Sequence, residues 1–578
     1  MRTPSGVAAR LPFAGRPLPQ TLVLTFVCAL ALQIWRPFYH LTDDSLSAWL
    51  PLVVEFYGKL WSGQWPFVTD ALFGGGYSWL RDPMVFSLVS PFLLICSPLA
   101  LTPFYFLLPD LVGTLILLAT AGAFCAAALF LRKRLELEIT DEWIVFLSLS
   151  YTFSVYALLV NASWIMFINV HAAYPVVFAA LFAKSMWRGA WIVAAAVVFA
   201  LLGAHPHPFC YLLIFGGLLA VGVSWARRTW QPIAIFSAGS ALGLLALLPL
   251  VWPVLQGFTT SWRGGVMGVD FVRAFDIPFG RLMSSWIVGP ADLLVHGPHV
   301  MHFAQPIYVA ALAWSLVNLP LLLLIFHRRR RFARLEVVLV VCIALCVLFI
   351  ARPVWLAQLL AHVPLLRSLR WPFREIAVLH ACTHLLAVLC FTPRFRPALR
   401  IGAVASGAVA LAFLFHRAPS FNELAMDREL IISGQAAAFQ RVLKGIYGEE
   451  PRVIISAPHE VVMGEAGRSP LPFAALGSHN YAPLFGTVNI AGYSSTIPQS
   501  AAPEKHALEP MHWGGIYSPE QAQREIARDP RLLQLTLRSR RPILVEAARE
   551  AERHLFQFDP QTGDFVEVPL DSVAGRGP

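Results

Sequence analysis

Charge is scarce in this sequence. Only 13% of its 578 residues are Asp, Glu, Lys or Arg, 57% are hydrophobic, and mean hydropathy is +0.62. Soluble proteins carry about 25% charged residues, so a soluble globule of this length would lack the polar surface to cover itself. Disorder, collagen and a small disulfide scaffold are excluded by the same composition. Cysteine pairing signals are also missing. Cys28, Cys96, Cys125, Cys210, Cys342, Cys346, Cys382 and Cys390 all lie in apolar runs, with no Cys-x-x-Cys and no Cys/His ligand spacing. Neither a disulfide framework nor a structural zinc site is encoded, and these residues read as small buried hydrophobes.

What the chain has is apolar length. A bilayer-spanning helix needs about 20 apolar residues, and about eleven candidates occur: 21–38, 102–131, 143–160, 165–183, 189–204, 209–226, 231–252, 306–326, 336–351, 375–392 and 401–415. The first lacks a small-residue cleavage site and is expected to stay attached. The net charge of +10 is uneven: residues 417–578 carry 16 basic and 19 acidic residues, leaving 28 and 15 for 1–416. A basic excess among spans points to cytoplasmic loops and not to nucleic acid. Arg10 and Arg16, Arg132–Arg134, Lys184 with Arg188, Arg227–Arg228, Arg328–Arg331 with Arg334, and Arg394, Arg396 and Arg400 fall on one side if the N-terminus is cytoplasmic. That parity places 40–101, 161–164, 205–208, 253–305, 352–374 and everything after 416 outside. The expected fold is therefore an all-α polytopic membrane domain, 1–416, in the cytoplasmic (inner) membrane. A small α+β exported domain, 417–578, follows it. In that tail Arg452–Ser456 reads as a strand. Ser518-Pro519-Glu520-Gln521 reads as a capped helix start that Pro530 terminates. The tail holds no nucleophile elbow, P-loop or dinucleotide fingerprint.

Five of the acids in 1–416 crowd the first outer loop: Asp43, Asp44, Glu55, Asp70 and Asp82. Adjacent aspartates at a membrane exit are expensive to place. They cap helices in a solvated loop, or they serve as a general base or metal-binding carboxylate in a surface cleft. The segment 45–62 reads as an amphipathic surface helix with Trp49, Phe56 and Trp61 at the interface. Gly74-Gly75-Gly76 would allow close backbone approach.

A carboxylate just after the first span, followed by interfacial helices and many spans, resembles the GT-C superfamily of membrane glycosyltransferases. The finer resemblance is to the bacterial YfhO-like membrane protein family. It is carried by Asp44 with Pro51, Gly63-x-x-Pro66, the glycine loop, Asp82-Pro83 to Pro91, and His205-Pro206-His207-Pro208, where His207 departs from the family's Gln. Leu369-Arg370-Trp371-Pro372-Phe373-Arg374 and Asn480-Tyr481 through Gly492-Tyr493 complete it. The resemblance implies a GT-C-like fold that moves a sugar from a polyprenyl-phosphate carrier to an envelope glycan, lipid or protein acceptor on the outer side of the membrane. Asp44 would be the base toward the acceptor hydroxyl, and Asp43 its support or a metal ligand. No cofactor is clearly encoded, and a divalent cation is the one kind left open. The alternative functions are a non-enzymatic transporter or flippase of lipid-linked saccharides, or an assembly subunit.

Other constellations divide between chemistry and structure. Arg367, Arg370 and Arg374 cluster at an outer helix start, against the positive-inside trend, as a phosphate grip or as headgroup snorkels. Asp82, His205 and His207 are candidate substrate contacts, though prolines around the histidines also fit a rigid turn. His296, His299 and His302 have a metal-like spacing interrupted by Gly297-Pro298. His380 and His384 share a helix face and are expected to make interhelical hydrogen bonds. Asn161-Ala162-Ser163 matches the glycosylation pattern, one common by chance.

Overall fold

The computed structural model describes residues 16–73, 75–260, 269–273, 276–288, 311–327, 333–363, 366, 371–391, 397, 400–408, 425–448, 451–457, 473–477, 480–490, 516–540, 542–559, 561–562 and 564–573. Arg367, Arg370, His296, His299 and His302 lie outside these residues.

Apolar composition becomes long helices. Six are long and apolar enough to cross a membrane: Pro17–Trp35, Tyr105–Leu135, Asp141–Ser163, Pro206–Arg227, Arg334–Ala351 and Pro372–Cys390. A seventh span results if Gln231–Ala246 and Leu248–Thr259, bent by 81°, count as one. These helices are compatible with a multi-pass membrane protein, but the expected count of eleven is not reached among the described residues. The apolar run 165–183 folds as Ile165–Phe167 and Asn169–Ala180, with Pro175 inside the helix. The run 189–204 folds as Met186–Leu201, 16 residues. At 1.5 Å per residue that is about 24 Å, short of a hydrocarbon core of about 30 Å. Of 306–326 and 401–415, the described helical parts are Asn318–His327 and 400–408.

Small residues set the packing. Gly239 and Gly243, four apart on one helix, face Met186–Leu201. A Cβ on Gly239 would lie 2.6 Å from the Ala190 carbonyl oxygen, and one on Gly243 would lie 2.6 Å from Val197. Backbones approach this closely only across small residues. Gly239→Val is expected to lower the melting temperature in detergent, by an overpacking cost of about 1–3 kcal/mol or more. A variant melting with the wild type would refute this account of the pair.

Loop contacts fall into two groups. In one, the backbone N–H of Ile165 donates to Ser45 Oγ, that of His205 to the Met166 carbonyl, and that of Gly203 to the Phe86 carbonyl. In the other, Arg132 pairs with Asp141, Arg134 donates to the Phe182 carbonyl, Arg227 to that of Leu181, and Arg334 lies over Trp225.

The tail carries a seven-stranded sheet. β3 (Arg452–Ser456) pairs in parallel with β4 (Val488–Asn489), β5 (Ile516–Tyr517) and β6 (Leu533–Arg540). β6, β7 (Ile543–Arg549), β8 (Glu552–Phe558) and β9 (Phe565–Val568) then run antiparallel. β1 (Val68–Thr69) and β2 (Tyr77–Ser78) form a small ribbon in the first outer loop. The expected strand at Arg452 is β3. The helix Pro519–Arg528 starts on a capping box in which Ser518 and Gln521 exchange bonds.

One sequence expectation is corrected here. Trp49 and Phe56 are buried, and only Trp61 of that trio is exposed. The helix Leu50–Trp61 is covered by the tail's short helix Ala482–Phe485, so its apolar face meets protein and not lipid.

Candidate functional site

The first transmembrane helix ends at Trp35, and the chain then turns sharply. Phe38 and Asp43 both take left-handed backbone angles, with φ of 60° and 49°. An aspartate tolerates this conformation better than most residues. Directly after it, Ser45–Trp49 forms a π-helical turn that runs into Leu50–Trp61. Such wide turns recur at functional sites. Ser47 Oγ donates to the Asp43 carbonyl (3.0 Å), fixing the turn from within.

Asp43 is buried and Asp44 half-buried. The Asp43 carboxylate accepts from Ser163 and from the Asp44 backbone, yet its Oδ2 meets no donor among the described residues. Burial, and secondly the adjacent Asp44 carboxylate, hold Asp43 well above the ordinary carboxylate range. Asp43 therefore keeps a proton where a surface aspartate would lose it. The folded chain binds that proton more tightly than the unfolded chain, whose ordinary value is 3.8. Stability is thus fully present below that value and is lost as pH rises through the folded one. Asp43→Asn is expected to melt above the wild type at pH 8, with the gap closing toward pH 4. Parallel melting curves across that range would contradict it.

Three residues upstream, His40 anchors the turn. Its Nδ1 lies 3.0 Å from Asp110 Oδ1, and its Nε2 accepts from the Asn161 amide at 3.1 Å. The His40 backbone N–H and Gln33 Nε2 also donate to Asp110 Oδ1, each at 2.9 Å. Gly113 makes room for the ring, because a Cβ there would sit 2.6 Å from it. Sequence reasoning missed Asp110 as a partner. The available signal was a lone carboxylate inside the apolar run 102–131. Asn161 is fully buried in this cluster, which rules out glycosylation of the folded chain.

A second group gathers on the other side of Ser163–Phe167. Trp371 is left-handed (φ 64°), and Pro372 opens the 3-10 turn that starts the helix Ile376–Cys390. That start aims Arg374 inward. Its guanidinium lies 4.1 Å from the Phe167 ring centroid, 4.3 Å from that of Trp371 and 5.9 Å from that of Trp164, where ring faces favour a cation. Arg374 Nη1 donates to His207 Nδ1 at 2.8 Å, and His207 Nε2 lies 3.2 Å from the Tyr211 hydroxyl. Behind them, Arg352 Nη2 meets Glu375 Oε1 at 2.5 Å, both side chains buried, and reaches the Tyr211 hydroxyl at 3.5 Å. His205 stacks on Phe167, and its Nδ1 caps the helix Pro206–Arg227 by accepting from the His207 N–H.

Three sequence candidates therefore touch one short stretch, and two more adjoin it. Asp43 touches Ser163, Arg374 lies over Trp164 and Phe167, and His205 stacks on Phe167, while Asp44 precedes Ser45, which bonds Ile165, and His207 joins through Arg374. Asp82 has a different duty. It is fully buried, and its oxygens accept from the Tyr77 hydroxyl and the Met84 N–H, both at 2.8 Å, which ties up its own loop. Gly75 and Gly76, both at positive φ, close the turn between β1 and β2. His380 Nε2 donates to the Leu312 carbonyl, and His384 bonds Ser150 and the His380 carbonyl, the interhelical role expected of them. Among the described residues no group of three or more His, Cys, Asp or Glu side chains could hold a metal ion.

The tail reaches this site. Asn480 donates from its backbone to the Ser47 carbonyl (3.2 Å) and from its amide to that of Ala48 (3.3 Å). The Asn489 N–H donates to the Ala71 carbonyl at 2.8 Å. The fully buried Tyr481 places its hydroxyl on Asp427 Oδ2 at 3.1 Å. Burial first, then Asp427, Asp43 and Asp44, raise that phenol well above its ordinary range.

Neither a protein-family model nor a curated protein matches this chain.

Proposed function

We propose that the chain is a GT-C-like, YfhO-like membrane glycosyltransferase. It transfers a sugar from a polyprenyl-phosphate carrier to an envelope acceptor on the outer side of the cytoplasmic membrane. One observation carries this proposal: Asp43 and the turn that bears Asp44 contact the same short stretch, Ser163–Phe167, as the buried guanidinium of Arg374. A base for a hydroxyl and a cation for a phosphate are the two groups such a reaction needs. The proposed orientation, with the basic loops cytoplasmic, rests on the distribution of Lys and Arg along the sequence.

In the proposed step Asp44 takes the proton of the acceptor hydroxyl. The acceptor oxygen bonds the anomeric carbon as the carbon–oxygen bond to phosphate breaks. The electron pair leaves on polyprenyl phosphate, whose charge Arg374 offsets, and the sugar carbon inverts. Asp43, keeping its proton, avoids placing a second negative charge beside the base.

Arg374→Ala is expected to raise the KM for the lipid-linked donor by about 10-fold or more, since a charge-assisted phosphate contact contributes roughly 1.5–3 kcal/mol. Arg134→Ala, in the other group of loop contacts, is the control. Equal losses in both variants would defeat the phosphate role. A transporter gains some support from the bent pair at Leu247, because broken spans house transport sites. The sequence shows no internal repeat, however, and the carboxylates lie at the surface loop and not at that break.

A further inference from the structure

The C-terminal domain is bonded to the turn that carries the candidate base, through residues more than 400 positions away. Two carbonyls of that turn, on Ser47 and Ala48, take their bonds from Asn480. A π-helical turn bonds i→i+5 and so presents its carbonyls at a wider angle than an α-helix does. Asn480 adds donors to two of them from outside the membrane domain. The next residue, Tyr481, is wholly buried, stands near Asp43 and Asp44, and is fixed by Asp427, which also accepts from the Ala474 N–H. Beside it the helix Ala482–Phe485 covers Leu50–Trp61, and Asn489 holds Ala71. The contact combines directional hydrogen bonds at the turn with helix packing beside it.

We propose that Asn480 and Tyr481 are positioning residues for the Asp43–Asp44 pair, so that the outer-face site is complete only with the C-terminal domain docked. The consequence for catalysis rests on the glycosyltransferase proposal; the docking and the burial of Asp43 do not. Asn480 acts through the backbone of Ser45–Trp49, holding the aspartates at the angle their turn imposes. Tyr481 closes the space beside them to water, which sustains the burial of Asp43. Among the described residues, the charged and titratable groups near Asp43 are Asp44 on its own turn, Tyr481 with Asp427 behind it, and His40 three residues upstream, which is engaged with Asp110. The packed stretch Asn161–Ile168 adds no titratable group.

The test uses the full chain in membranes. Asn480→Ala is expected to cut the kcat of sugar transfer by about 10–100-fold, the scale of a small misplacement of a catalytic group, with donor KM within about twofold. Asn480→Gln, which retains an amide donor, should recover part of the rate. The readout that does not depend on activity is the melting temperature from pH 4 to pH 8. In Asn480→Ala the decline toward high pH should flatten, as in Asp43→Asn, because water then reaches the carboxyl. Asn489→Ala, whose amide bonds the Gly477 carbonyl within the tail, should lower the melt without changing its pH slope. Wild-type kcat and an unchanged pH slope in Asn480→Ala would overturn the proposal, as would equal flattening in Asn489→Ala. If the wild type transfers no sugar, the glycosyltransferase proposal falls, and the pH slopes alone decide the docking role.

Discussion

An Asp44→Asn variant is expected to lose sugar transfer by about 10²–10⁴-fold, the usual contribution of a positioned general base, with donor binding nearly unchanged. The expectation follows from the construction of the turn. The left-handed Asp43 and the π-helical Ser45–Trp49 leave Asp44 at the hinge between them, half-buried. Asp43 is the poorer base, because burial favours its protonated form. Asn is nearly the same size as Asp, so the turn, its Ser47 bond and its Asn480 contacts should survive. Melting temperature should move by only a few degrees, which separates lost chemistry from lost structure. An Asp44→Asn protein with wild-type rates would remove Asp44 from the mechanism, and a concurrent loss in Asp43→Asn would transfer the role to its neighbour.

The second large effect concerns Arg352 and Glu375. Their contact is fully buried, and Arg352 also donates to the Val272 carbonyl at 2.9 Å and the Phe349 carbonyl at 3.2 Å. Removing one partner of such a pair leaves a buried uncompensated charge, at a cost of about 3–5 kcal/mol. Glu375→Leu or Arg352→Met alone is expected to melt far below the wild type, or to fail to accumulate in the membrane. The double variant should recover much of that loss, because neither charge then remains. If the double variant behaves as the sum of the singles, the pair is not coupled. The pair closes the polar chain from Glu375 through Tyr211 and His207 to Arg374. Single variants should therefore disturb donor binding in any protein that still folds, while the double variant reports the cost of the missing anchor alone.

Local signals were legible in the sequence. The capping box at Ser518, the strand at Arg452, Pro372 at a helix start and the polar satisfaction of His380 and His384 each depend on a few neighbouring residues. The crossings were less legible, because hydropathy counts apolar residues and not helix continuity. The break at Ile168 and the bend at Leu247 divide runs that look continuous. The aspartate pair stood out because acids are rare before residue 416. Its companions did not, since Asp110, Arg352 with Glu375, and Asn480 gain their roles only through contacts between distant segments. The burial of Trp49 and Phe56 was misjudged for the same reason: an amphipathic face cannot say whether lipid or a docked tail covers it.

The most direct measurement reconstitutes the wild type and Asp44→Asn in vesicles with a polyprenyl-phosphate-linked sugar and an envelope extract as acceptor, and follows release of polyprenyl phosphate. The account predicts release with the wild type and almost none with Asp44→Asn. Equal release by both proteins would contradict it, as would passage of the intact lipid-linked sugar across the bilayer with no release by either.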